Sequence, residues 1–155
     1  MGNRQHAHPR DARKLKHRAW VAEAAVLLLL AQALIRWVPL RWWRGSLGRP
    51  GAAVLAHETK FPGTAPQIEY DVRRAVYSAC ARLPVKLVCL PRAIAVQWML
   101  RRRGLGSSLV IGVLPGTESK DGRHAFHAWV EREGRVLVGL HAERRYRRCT
   151  VLTQG

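Results

Sequence analysis

Cys89-Leu-Pro-Arg-Ala-Ile-Ala-Val-Gln-Trp-Met-Leu-Arg-Arg-Arg-Gly104 is the stretch on which the reading of this chain turns. Pro91 opens the apolar run, three arginines suit the negative end of a helix dipole, and Gly104 stands just past them. The stretch therefore reads as one helix with Cys89 at its N-terminus. Strand signals follow: Ser107 to Pro115 is apolar and β-branched, Ala125 to Arg132 alternates, and Arg135 to Leu140 is apolar again. Glu133-Gly134 reads as the hairpin turn between the last two, Gly116 to Arg123 as a loop, and Val151 to Leu152 as a short further strand in a basic tail. A helix leading into antiparallel strands gives an α+β architecture, with that helix packed on a small antiparallel sheet.

Upstream, Arg10 to about Trp37 keeps a helical rhythm through Trp20, Ala24, Leu27, Leu28, Ala31 and Leu34 until Pro39 stops it. Residues 44–66 are rich in Gly and Pro and read as a connector. Ile68, Val72, Ala75, Val76 and Ala79 then predict a second helix from Pro66 or Gln67 to Arg82. The expected division is an N-terminal helical segment with its connector over residues 1–65 and a core over 66–155. The apolar run Ala24 to Ile35 is about 12 residues, short of the roughly 20 that span a bilayer. It is read as core-facing, with a membrane-lying amphipath as the alternative, given its basic flanks and nearby tryptophans. No clean small-residue cleavage site follows it, so the expected location is the cytoplasm, or the membrane periphery under the alternative reading.

The 155 residues carry 27 Lys or Arg and 10 Asp or Glu, a formal charge of +17, while 48% of residues are hydrophobic. That apolar share excludes a wholly disordered basic protein. Cys80, Cys89 and Cys149 form no CxxC pair, which excludes a zinc knuckle and a disulfide framework and favours a reducing compartment. The charge suits nucleic acid, an anionic membrane surface or an acidic protein partner. No aromatic RNP-like strand, zinc-finger spacing or helix-turn-helix pair accompanies it, so nucleic acid is not the expected partner.

A thiol attacks only as thiolate, a form favoured by the partial positive charge of a helix N-terminus, where Cys89 stands. Its general base would be a histidine. His127 sits in the alternating run Ala125-Phe-His-Ala-Trp-Val-Glu131, and a helix-borne Cys followed by a strand-borne His is the order of papain-like and transglutaminase-like folds. Trp129 shares the His127 face and reads as a cleft wall, whereas Trp98 and Cys80 read as packing residues and Cys149 as a bystander. Gln97 shares the face of Cys89 but lies about 12 Å along the helix, and is read as a packing or polar surface residue. His124 reads as a loop residue. No carboxylate or thiol completes a metal site with His124, His127 and His141, and no cofactor is expected.

Cys89-Leu-Pro-Arg-Ala-Ile-Ala95, Leu100-Arg-Arg-Arg-Gly-Leu105, Leu109-Val-Ile-Gly-Val113 and Phe126-His-Ala-Trp-Val-Glu131 with Gly134 together resemble the lasso peptide biosynthesis B proteins, in their stand-alone leader peptidase form. The resemblance covers about Val72 to Leu140. It implies a transglutaminase-like cysteine peptidase that removes the leader from a ribosomally synthesised precursor peptide (RiPP maturation) before a separate ATP-dependent cyclase closes the ring. The implied partners are the precursor peptide, a leader-recognition protein and that lasso cyclase. Family roles fall on Cys89 as nucleophile and His127 as general base and acid.

Members of the family often carry an acid about a dozen residues after the histidine, where this chain has Gly139. Glu131 shares the His127 face but lies roughly 7 Å along the strand. Glu143 is the candidate third member, Asp121 lies in the preceding loop, and a backbone carbonyl is a further way to hold the ring. The Cys89 backbone N–H is the expected oxyanion donor. Two other readings compete: another transglutaminase-like amidase or acyltransferase, and a non-catalytic basic module for membrane or nucleic acid.

Overall fold

A computed structural model describes residues 9–50, 63–118, 124–139 and 146–154. Helix α1 spans Pro9–Trp37 and is followed by a short α2 (Leu40–Trp43), a 3-10 turn (Arg44–Leu47) and β1 (Arg49–Pro50). Then come α3 (Ala65–Cys80), α4 (Cys89–Arg101), β2 (Ser107–Glu118), β3 (His124–Arg132), β4 (Arg135–Val138) and β5 (Arg147–Gln154). The strands form one antiparallel sheet in the order β1-β5-β2-β3-β4. The α+β expectation holds.

Local chemistry explains the boundaries. α3 starts with Pro66 in its first turn and buries Glu69, Val72, Val76 and Ala79 at helical spacing. α4 closes on Gly104, whose φ of 71° suits glycine, while the Leu105 N–H donates to the Leu100 carbonyl in a Schellman-type stop. Glu133 and Gly134 both take positive φ, 50° and 72°, as a two-residue type I′ hairpin requires.

The sheet has two unlike faces. Ala128, Val130, Leu109, Leu137 and Leu152 point to the helices and join Ala24, Leu28, Val72, Ile94 and Leu100 in the main core. Val110 and Trp129 form a second, smaller cluster with Val136, Tyr146 and Val151. Three helices on one face leave the other to be closed by a few aromatic and branched side chains.

Polar groups fix the layers to each other. Of the two readings of Gln97, packing or polar surface, the structure shows the first: it is fully buried, and its Nε2 donates to the carbonyls of Leu47 and Leu152, both at 3.1 Å. It ties α4 to the 3-10 turn and to β5. Arg132, also fully buried, pairs with Glu69 of α3 at 2.6 Å and donates to the Gly106 carbonyl. Glu23 of α1 accepts from Arg103 at 2.6 Å. An ionic or hydrogen-bonded strut thus links each of α1, α3 and α4 to its neighbours.

Two elements exceed their sequence reading. The basic tail contains an eight-residue strand, β5: Leu152 and Gln154 are buried beside β2, but the first four residues, Arg147 to Thr150, are all exposed and its pairing with β2 shifts register there, so no period-two pattern shows in that half. Within α1, residues Asp11–Trp37 are long and apolar enough, by length and composition, to cross a membrane. The apolar run of about 12 residues underestimates it, since Ala19-Trp20-Val21-Ala22 continue the apolar surface before Glu23 and Trp37 continues it past Arg36.

Candidate active site

Cys89 is the first residue of α4 and is half-buried against the main core. Val88, the residue before it, takes an extended conformation and offers no side-chain acceptor to the first turn. The α4 N-terminus therefore keeps its backbone donors for another acceptor, as an oxyanion site requires.

The connection after Arg101 is short, so β2 runs back alongside α4 and β3 runs in the direction of α4. Gln97 Nε2 lies 3.5 Å from the Ser107 carbonyl, Ser108 pairs with Glu131, and Gly112 pairs with His127. Eight helical residues from Gln97 back to Cys89 cover about 12 Å. Four strand residues from Ser108 to Gly112 cover about 13 Å. Cys89 and His127 consequently occupy the same end of the packed α4 and sheet.

They approach that end from different layers. Ala128 and Val130 face the helices, so His127, Trp129 and Glu131 emerge on the other face of β3. No hydrogen bond joins the Cys89 thiol to the imidazole among the described residues.

His127 is half-buried in an aromatic surround. Its ring stacks against Trp129 with centroids 6.2 Å apart, and Tyr146 lies 5.2 Å away, tilted by 35°. Gly112 makes room for this arrangement, because a Cβ there would come within 2.8 Å of the Trp129 ring. Desolvation pushes the imidazole pKa below its ordinary value of 6.5, and a hydrogen bond to the Gly139 backbone opposes the shift. One ring nitrogen donates to Gly139, so in the neutral ring the other keeps an acceptor lone pair, the form a general base needs.

The orienting group is thus a carbonyl at the position that lacks an acid. Glu131 serves the indole instead, accepting from Trp129 Nε1 at 2.6 Å and from Arg148 at 2.8 Å, which holds that ring in place. Glu143, Asp121 and His141 lie outside the described residues. His124 opens β3 opposite Glu118 rather than lying in a loop. Trp129 is fully buried on the His127 face, and Trp98 donates to the Ser46 carbonyl.

The other thiols are placed for different ends. Burial pushes the Cys80 thiol up in pKa, while the Arg92 guanidinium beside it acts in the opposite direction. Cys149 is exposed on β5. Among the described residues no three His, Cys, Asp or Glu side chains cluster to hold a metal.

Reasoning from the sequence missed Tyr146 and the space left by Gly112. Period-two pairing of Gly112 with His127 was the available signal for the glycine, whereas Tyr146 follows a basic stretch with no strand pattern. A family model described as the transglutaminase-like superfamily matches residues 31–153. The chain belongs to that superfamily, whose fold is typical of cysteine peptidases and acyltransferases. No curated protein and no solved structure matches the chain significantly.

Proposed function

We propose that the protein is a cysteine peptidase that removes the leader from a lasso precursor peptide. The observation that carries the proposal is a thiol at the opening of α4 and a largely neutral imidazole at the same end of β3, in a chain of the transglutaminase-like superfamily. Side by side at one end, the two groups leave the fold from different layers, so the reaction requires a rearrangement that brings the imidazole, on the sheet face away from the helices, round to the thiol.

In the proposed reaction His127 takes the Cys89 proton and the thiolate attacks the scissile carbonyl. Backbone donors at the α4 N-terminus meet the developing oxyanion. Collapse breaks the C–N bond, and His127 returns the proton to the departing core amine. Water, deprotonated by His127, then hydrolyses the leader thioester and regenerates the thiol. An extended precursor delivered by a leader-recognition protein is the natural substrate of this reading, with a separate cyclase taking the freed amine. A strongly basic surface suits an acidic leader or partner.

The test is mass spectrometry of a precursor incubated with this protein and the recognition protein. Expected products are leader and core whose masses sum to precursor plus one water, with Cys89→Ala giving none while binding the partner normally. An amine adduct on the acyl fragment would instead assign acyl transfer, and normal cleavage by Cys89→Ala would overturn the proposal.

A further inference from the structure

α1 presents two apolar faces and the fold uses one. Ala24, Leu28 and Ala31 are fully buried against α3 and α4, and Glu23, at the border between the two faces, pairs with Arg103. At 100° per residue, Leu15, Ala22, Val26, Leu29 and Trp37 line the opposite side with Leu30 beside them, and all six are exposed. Val26 is 64% exposed and Trp37 78%. From Leu15 to Trp37 the stripe spans 22 residue steps, about 33 Å of helix. α2 extends it with Leu40, 54% exposed, and Trp42, 76% exposed. Such a length of open apolar surface is far more than scattered exposed side chains produce.

Its surroundings select the occupant. Arg18 and Arg36 of α1, Arg41 of α2 and Arg44 of the 3-10 turn are exposed, and Arg101 and Arg102, the latter also 3.5 Å from Glu23, border the open apolar groove that begins at Leu30. Basic residues beside an aliphatic stripe that ends in tryptophans match an anionic lipid surface: the stripe enters the acyl boundary, the indoles sit at headgroup depth and the guanidiniums meet phosphates. A second copy would set these same cations against each other in a chain of charge +17. A spanning role would strip α1 from α3 and α4 and break its ion pair with Arg103.

We infer that α1 and α2 form an in-plane docking surface for an anionic membrane. The inference is independent of the peptidase reading, so Cys89→Ala binds lipid as the wild type does.

The test is co-sedimentation of the full chain with vesicles of phosphatidylcholine alone and of phosphatidylcholine with phosphatidylglycerol. Expected is binding at least tenfold tighter to the phosphatidylglycerol vesicles, weakened by salt. Val26→Glu with Leu29→Glu lowers it at least tenfold without changing the thermal melt, and Arg36→Gln with Arg41→Gln lowers it severalfold. Absence of vesicle binding, indifference to the glutamate pair, or retention after a 1 M salt and alkaline wash (the mark of a spanning helix) would each overturn the inference. So would a dimer in light scattering that the glutamate pair dissociates.

Discussion

The imidazole of His127 is hydrogen-bonded to the backbone of Gly139, twelve residues on in the chain. Gly139 has a φ of 95°, and a Cβ added there would lie 2.6 Å from Trp129 Cβ and 3.2 Å from His127 Nε2. No side chain fits. The carbonyl is what this geometry allows in place of a carboxylate.

Gly139→Ala should therefore cost about 2 kcal/mol or more, from the positive φ and the contact with the root of Trp129. Gly139→Asp should fail to improve activity and should destabilise at least as much. Urea denaturation together with the cleavage assay checks both; an Asp variant that is stable and faster would show that the site accommodates an acid.

His127 sets a pH dependence with a definite sign. Burial depresses its folded pKa below the ordinary 6.5, so below that value the unfolded chain takes up the proton first. Its contribution to stability is complete above pH 6.5 and is lost as pH falls through the folded value. Melting temperatures measured from pH 8 to pH 5 should fall more for wild type than for His127→Phe. The acidic limb of the activity profile should likewise lie below pH 6.5, because a protonated ring cannot accept the thiol proton.

Gln97→Leu should destabilise by about 2–3 kcal/mol, since it leaves buried carbonyls of Leu47 and Leu152 without the Nε2 donor. Gln97→Glu replaces that donor with an acceptor and should cost more. Chemical denaturation of both variants gives the comparison.

Glu69→Gln should cost about 2 kcal/mol, because the fully buried Arg132 guanidinium loses its 2.6 Å ionic partner on α3 but keeps Glu133, also at 2.6 Å. Arg135, 58% exposed and 3.3 Å from the same carboxylate, should tolerate replacement by Gln within about 1 kcal/mol. Equal losses in the two variants would mean that the burial of Arg132 does not govern the energy.

Much of this fold was legible because its signals are local. Pro91 and Gly104 bracket α4, Glu133-Gly134 forms a hairpin turn, and period-two alternation marks β3. What escaped depends on distant partners. Gln97 looks like any polar helical residue until Leu47 and Leu152, 50 and 55 residues away, come into place around it. β5 hides because its first four residues are all exposed and its pairing with β2 shifts register there, which removes the period-two signal. Within the site, the order of Cys89 and His127 and the glycine at position 139 were readable. A backbone carbonyl was already among the sequence alternatives for holding the ring; that the backbone is that of Gly139 emerged only once β4 ended beside β3. The sequence candidate Glu143 lies outside the described residues.

Peptide-mapped alkylation by iodoacetamide, followed across pH in wild type and His127→Ala, reads the coupling of the Cys89 thiol to the His127 imidazole without any substrate. Coupling requires that Cys89 react faster than Cys80 in wild type, and that His127→Ala slow Cys89 alone and abolish a titration step below pH 6.5. A Cys89 rate and pH profile that stay unchanged when His127 is removed would mean that the two side chains form no catalytic pair, and the peptidase reading would fall with them.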